Sequence, residues 1–330
     1  MCRAGGVLTG ASPGFAKLHS SGALERRARA AEDALARCAL CPRACGADRL
    51  SGETGECGAD GELVVYRHMP HHGEEPPLSS TRGSGTVFFS NCTMACRYCQ
   101  NERMSRRGEG TVRDADELAA MLGDLEDVGC HNWNLVSPTQ YLPWILRALV
   151  KVAERGVALP VVWNTSGYEG SSTLELLDGV VDIYLSDIRY GLPGPDARFS
   201  GVSDYVPVSR EALIEMNEQV GPLALDADGV AIRGLIIRHL VLPNGLAGSR
   251  EALRFVAEKL GTQTAVSLMS QYYPVGDAVG DVDIGRRITR DEWAGAVTAL
   301  EDAGLERGWV QSFHGELYPA AGSRIEPDEL

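Results

Sequence analysis

No stretch of this sequence is long and apolar enough to cross a membrane as a helix. The most apolar run, GLIIRHLVLP at residues 234–243, is too short and carries Arg238 and His239, whereas a helical span needs about 20 apolar residues. Positive charge is also scarce. Lys and Arg total 31 against 45 Asp and Glu, a formal net charge of −14. That balance excludes a general nucleic-acid binder, which needs a basic footprint, and argues against attraction to anionic membranes. The start, MCRAGGVLTGASPGFAKLHS, lacks the continuous apolar core of a secretory signal. Cys2 stands too close to Met1 to follow such a core, so no lipoprotein anchor is expected. A cytoplasmic protein is the expectation. No internal repeat or low-complexity tract interrupts the 330 residues, a length that suits a β-α barrel with additions.

Nine cysteines in a reducing compartment do not read as a disulfide framework. Cys38, Cys41, Cys45 and Cys57 form one group, and Cys92, Cys96 and Cys99 a second. Cys2 and Cys130 stand alone and read as free or buried thiols.

Residues 1–22 are rich in Gly and Ser and are expected to be a loose lead. ALERRARAAEDALAR (23–37) reads as a helix running into the first cysteine group. That group lies in a turn-rich stretch with little apolar content, which needs a staple to be ordered. Residues 73–85, with two prolines and three glycines, read as a linker or loop. From residue 85 strands alternate with helices. The strands are expected at 85–90, 131–137, 160–166, 181–188, 234–243 and 265–272. The helices fall at 114–129, 140–156 with Pro143 in the first turn, 171–179, 209–221, 249–261 and 289–304. Six β-α units predict an α/β fold with parallel strands and right-handed crossovers, a partial (β/α)6 barrel rather than a full one. An open doubly wound sheet is the alternative. Four parts are expected: a lead (1–22), a helix with a four-cysteine segment (23–72), the barrel (73–312) and a tail (313–330).

In either architecture the site lies beyond the C-terminal ends of the strands. Those ends carry Ser137 and Thr139, Asn164 and Ser166, Asp187 and Arg189, Arg238 and His239, then Gln271 and Tyr272. The motif NCTMACRYCQN (91–101) follows the first strand of the series, so Cys92, Cys96 and Cys99 sit at the same rim. Spacings of four and three would also make a thiol stripe on a helix, but the flanks are polar. Zinc with three protein ligands usually includes His or a carboxylate, and neither falls in the motif. An iron–sulfur cubane normally takes one thiolate per iron. Three thiolates would leave one iron open, the logic of a catalytic metal site.

C-x3-C-x-Φ-C, with Tyr98 as the aromatic, placed after the first strand of a β-α barrel resembles the motif of the radical S-adenosylmethionine superfamily. The resemblance implies that Cys92, Cys96 and Cys99 hold a [4Fe–4S] cluster whose open iron is chelated by the amino and carboxylate groups of S-adenosylmethionine. It implies reductive splitting of that cofactor to a 5′-deoxyadenosyl radical, which abstracts hydrogen from a substrate, and an electron donor such as flavodoxin or ferredoxin. Further segments occur in order: CALCPRACGADR, HHGEEPP, GSGTVFFSNC, HNWNLVSPT, NTSGYE, DIYLSDIRY, RGLIIRHLVLP and SLMSQYYP. Together they resemble the homologues of pyruvate formate-lyase activating enzyme that carry an N-terminal cysteine segment, over roughly residues 38–312.

By that resemblance Tyr98 lies near the adenine, and Asn164, Thr165 and Ser166 line the cofactor pocket. Asp187 matches the segment after the fourth strand, where Arg189 replaces a lysine and offers a planar fork to a carboxylate. Arg238 and His239 become candidates near the ribose or methionine, the alternative for His239 being a hydrogen-bonded core histidine. The usual Gly-Gly-Glu after the second strand is absent. VSPTQ stands there, with Ser137 and Thr139 as substitute hydroxyls.

Cys38, Cys41, Cys45 and Cys57, spaced C-x2-C-x3-C-x11-C, suit a closed tetrathiolate site for zinc or a second cluster. HMPHHGEE (68–75) reads as a solvated polar loop from which Glu74 or Glu75 reaches the rim, with a site built on His68, His71 and His72 as the alternative. Three functions are weighed: an activase that abstracts hydrogen from a glycine of a partner protein, a radical enzyme acting on a small molecule or peptide, and a non-catalytic metal-binding scaffold. The open triad speaks against the last.

Overall fold

A computed structural model describes residues 13–313. Most of the expected lead and tail, and Cys2, lie outside these residues. The strands are β1 (Leu63–His71), β2 (Ser84–Phe89), β3 (Thr111–Arg113), β4 (Trp133–Val136), β5 (Val161–Thr165), β6 (Ile183–Asp187), β7 (Ala224–Leu225), β8 (Ala231–Leu240), β9 (Ala265–Met269) and β10 (Gly308–Val310). Helices α1 (Gly14–Ser20), α2 (Ala23–Asp33), α3 (Pro76–Ser79) and α4 (Glu102–Ser105) come first. They are followed by α5 (Ala115–Asp127), α6 (Leu142–Glu154), α7 (Ser171–Leu177) and α8 (Pro195–Ser200). The last are α9 (Tyr205–Val220), α10 (Ser249–Phe255) and α11 (Arg290–Asp302).

β2, β4, β5, β6, β8, β9 and β10 pair in parallel, each beside its predecessor in that series. A doubly wound sheet reverses direction at a switch point. This order never reverses, so the sheet is a partial barrel of the expected kind, with helices outside. The sheet goes further than expected at both ends. β10 adds a seventh parallel strand, and β1 and β3 extend the other edge with antiparallel pairing.

Helix starts follow local chemistry. Asp114 and Glu117 form a capping box at α5, and Thr289 and Glu292 another at α11. Pro143 stands in the first turn of α6. Strands β4 and β5 are buried at every residue, as expected when both sheet faces are covered. Two apolar clusters match the two faces. The larger includes Phe89, Trp133, Leu135, Trp163 and Leu268 beneath the outer helices. The smaller joins Val162, Ile183, Leu185, Ile236 and Ala265, the alternate residues of the same strands, with Leu78 of α3. Leu78 therefore plugs the barrel interior, and the stretch expected as a linker is packed structure. Its turn-forming composition hid one fully buried leucine.

The N-terminal part also departs from expectation. Residues 14–20 are not loose. Phe15 is fully buried against Trp133, ring centroids 5.8 Å apart, and the Gly14 N–H donates to Asp182 Oδ1 at 3.0 Å. Residues 68–71 belong to β1 rather than to a solvated loop, so the expected boundary at 72/73 cuts through one sheet-forming unit. The four-cysteine segment is docked rather than separate. Thr173 Oγ1 donates to the Leu40 carbonyl at 2.6 Å, and Arg43 Nε to the Thr93 carbonyl at 2.6 Å. Among the described residues no helix is long and apolar enough to cross a membrane.

If Leu78 seals the interior, Leu78→Ala should lower stability by about 2–5 kcal/mol. Leu50, 63% exposed, is the control, and Leu50→Ala should stay within about 0.5 kcal/mol. Urea unfolding of the two variants decides, and equal small effects would rule out the plug.

Candidate functional site

β2 ends at Phe89, and the chain turns through Asn91, held at φ 64°. Gln140 Nε2 donates to the carbonyls of Ser90, Asn91 and Ser137, so one side chain fastens the exits of β2 and β4 together. The loop then presents Cys92, Cys96 and Cys99 to a single cavity of about 370 Å³. Each sulfur has a hydrogen-bond partner. The Met94 N–H donates to Cys92 Sγ at 3.4 Å, Ser105 Oγ donates to Cys99 Sγ at 3.1 Å, and Cys96 Sγ shares a hydrogen with Ser200 Oγ at 3.0 Å. Hydrogen bonds to sulfur are a known means of tuning thiolate-bound iron.

Burial pushes the Cys92 thiol up to about 12, and burial also raises Cys96, with Arg189 opposing. The Cys92 and Cys96 thiols therefore hold their protons until a cation displaces them. Among the described residues no three His, Cys, Asp or Glu side chains gather as they would around one metal ion. A cubane assigns each thiolate to a different iron. Three converging, hydrogen-bonded thiols with no fourth ligand in their loop fit such a cluster.

Ser137, Asn164, Thr165, Ser166, Asp187 and Arg238, all expected at the site, line the same cavity. The aligned register brings them together: Val136 pairs with Asn164, Thr165 with Ser186, and Asp187 with Arg238. Ser137 reaches the cavity through a left-handed turn at φ 55°. Gly167, at φ 79°, lets the loop after β5 pass close, since a Cβ there would strike the Asp187 carbonyl oxygen. Arg189 Nη2 pairs with Asp187 Oδ2 at 2.6 Å, while its buried Nε has no partner.

Three expected residues lie elsewhere. Tyr98 is 4% exposed and outside the cavity lining; its hydroxyl shares a hydrogen with Tyr190 at 2.8 Å. Tyr98 thus braces the triad loop from behind instead of facing it. Thr139 turns away and donates to Glu169 Oε1 at 2.7 Å, leaving Ser137 as the hydroxyl on the cavity. His239 is wholly buried. Its Nδ1 meets the Ile188 carbonyl at 2.7 Å and its Nε2 meets Ser249 Oγ at 2.9 Å. Burial drives its pKa down to about 4 against the Ile188 bond, so it is a neutral core histidine. The alternation of β8 decides this: Arg238 faces inward, so His239 must face outward.

Glu74 and Glu75 both reach the site: they line the cavity as buried side chains rather than from a solvated loop. Glu75 takes two bonds of 2.7 Å from Arg238 Nε and Nη2, and Glu74 Oε2 also accepts from Arg238 Nη2. Asn134 Nδ2 donates to Glu74 Oε1 at 3.0 Å. Burial opposes ionisation of Glu75, but the adjacent Arg238 guanidinium outweighs it and holds the carboxyl below the usual range. Ser105, Ser200 and Gln140 were not foreseen. Ser105 lies close behind Cys99 in sequence, whereas Ser200 arrives from α8 with no local signal.

The radical SAM superfamily pattern matches residues 86–216. An uncharacterized protein of Methanocaldococcus jannaschii is 30% identical over 293 residues, covering 86% of this chain and 80% of that protein. The chain belongs to the radical SAM superfamily. Members of that superfamily typically use a [4Fe–4S] cluster and S-adenosylmethionine.

Arg238→Met should leave two buried carboxylates unpaired and destabilise the protein by about 3–5 kcal/mol at neutral pH. Glu75 titrates lower when folded, so its stabilisation is whole above about pH 4.3 and fades as pH falls through the folded value. The gap between variant and wild type should therefore shrink in acid. Urea unfolding across this range tests it, and a gap constant with pH would refute the assignment.

Proposed function

We propose that this protein reductively cleaves S-adenosylmethionine and uses the resulting radical to abstract hydrogen from a substrate. The observation that carries the reading is the shared cavity: three thiols at its rim above a floor of fixed formal charge. Glu74, Glu75 and Asp187 against Arg189 and Arg238 leave that floor one negative charge in excess. S-adenosylmethionine, with sulfonium, ammonium and carboxylate groups, carries one net positive charge. When bound by Cys92, Cys96 and Cys99, a cluster with an open iron would chelate this cofactor and deliver the electron that splits its sulfonium.

The chain's own residues would do the rest. Arg189, with its unpartnered Nε, offers a planar donor to a carboxylate. Asn164, Ser166 and Ser137 present amide and hydroxyl groups to the cofactor's polar edges, in place of the Gly-Gly-Glu acceptors. The Glu74–Arg238–Glu75 group fixes the floor, and enclosure by the strand ends excludes water from a reactive radical.

The resemblance of the ordered motifs to those of activating enzymes makes a backbone glycine of a partner protein the first substrate to test. A small molecule or peptide side chain comes second. Flavodoxin or ferredoxin is the reductant proposed.

After anaerobic reconstitution and reduction, the protein should form 5′-deoxyadenosine, slowly if no substrate is present. Cys92→Ala, Cys96→Ala and Cys99→Ala together should abolish product with the fold retained by circular dichroism. A fully loaded, reduced protein that binds the cofactor but makes no 5′-deoxyadenosine with any substrate would end this reading.

Asn164→Ala and Asp187→Ala should each weaken S-adenosylmethionine binding by about 1–3 kcal/mol, the loss expected for a buried hydrogen-bonding group. Calorimetric titration measures this. Unchanged affinity in both folded variants would remove them from the cofactor pocket.

A further inference from the structure

The second cysteine group lies beside a buried charge that has no ion-pair partner among the described residues. Arg49 is completely buried. Its Nε donates to the Asp60 carbonyl at 2.7 Å, and its Nη1 to the Gln140 carbonyl at 2.8 Å and towards Cys38 Sγ at 3.9 Å. Its face lies 5.6 Å over the Trp144 ring. Its Nη2 has no partner, and among the described residues no carboxylate makes an ion pair with it. A buried guanidinium left in this state is costly to the fold, so an anion is needed there. Cys38 Sγ is the side-chain atom its Nη1 approaches, and a metal-bound thiolate there is an anion.

The backbone makes room for those sulfurs. Gly55 sits between Cys45 and Cys57, and a Cβ on it would stand 3.3 and 3.6 Å from their Sγ atoms. A Gly55 N–H to Ala59 carbonyl bond of 2.8 Å closes this turn. Across the segment, the Gly46 N–H donates to the Cys38 carbonyl at 2.9 Å and the Ala44 N–H to the Cys41 carbonyl at 3.0 Å. All four cysteines are free thiols within one tightly turned loop. The loop also abuts the catalytic triad, because the Cys92 N–H donates to the Cys57 carbonyl at 3.4 Å.

We infer that Cys38, Cys41, Cys45 and Cys57 bind a second, fully thiolate-ligated iron–sulfur cluster, with Arg49 as its buried counter-ion. Four thiolates make such a centre anionic, which supplies the charge that Arg49 lacks. Iron–sulfur is favoured over a single zinc because the Cys92 N–H to Cys57 carbonyl contact sets the two groups side by side, where a redox centre can pass an electron and zinc, which has no redox chemistry, cannot. The centre has no open position, so it is distinct in kind from the triad beside it.

The test uses the full chain, purified anaerobically and reconstituted with ferrous iron and sulfide. Wild type should hold about eight irons, and Cys92/Cys96/Cys99→Ala about four, with sulfide in equal number. Cys38→Ser with Cys41→Ser should also hold about four and melt at lower temperature; this pair decides the question if the triple variant does not fold. The reduced triple variant should show one cluster signal by electron paramagnetic resonance, unchanged by S-adenosylmethionine. Arg49→Gln should move that cluster's midpoint potential to a more negative value, and Arg49→Lys should restore most of it. Wild type saturating at about four irons without zinc would overturn the site. One zinc per chain would overturn the iron–sulfur assignment, and an unshifted potential in folded Arg49→Gln would overturn the counter-ion role.

Discussion

Arg238, clasped by Glu74 and Glu75 across the barrel interior, is the interaction on which the site depends. It joins the chain just before β2 to the middle of the parallel series, partners 163 and 164 residues apart. Below it Leu78 and the inward-facing aliphatic residues close the barrel; above it the cavity opens to the cysteines. A buried cation between two buried anions persists only while all three are held. The geometry that permits this, strand ends in register with a plug beneath, also aligns Asn164, Asp187 and Arg189 with the triad.

The triad loop itself is fixed from outside the cavity. Tyr98, Tyr190 and Ser200 form a hydroxyl chain behind Cys96, and Gln140 binds three carbonyls at the base of the loop. The N-terminal cysteine segment adds Arg43, which donates to the Thr93 and Gly201 carbonyls. The loop that carries the three cysteines therefore has no regular structure of its own and takes its shape from three neighbouring parts of the chain. Such pre-organisation keeps the sulfurs converging before any metal arrives.

Much of the barrel was legible because both faces of its strands are buried. Continuous apolar runs such as VVWNT and helical spacing such as DADELAAMLGDLED survive without knowledge of the partner. The edge elements were not legible. β3 and β10 are three residues each, too short for periodicity to register. The end of β1 carries His68, Pro70 and His71, and that composition made residues 68–71 read as part of a loop. Helix α1 was hidden by its glycine- and serine-rich surroundings, and its order comes from distant contacts, Phe15 on Trp133 and the Gly14 N–H on Asp182.

By itself the sequence determined the α/β class, the six central β-α units and the grouping of cysteines into a triad and a tetrad, because each depends on local spacing. It also placed Ser137, Asn164, Asp187 and Arg238 at strand ends. Only the tertiary structure decided which strand-end residues face inward. Arg238 does and His239 does not, since the pleat sends neighbours to opposite sides and the core claims one of them. It alone turned Thr139 towards Glu169 and Tyr98 towards Tyr190, and drew Glu74 and Glu75 under the cavity. Those outcomes depend on partners far away in the chain, for which a buried polar group must search until its hydrogen bonds and charge are met.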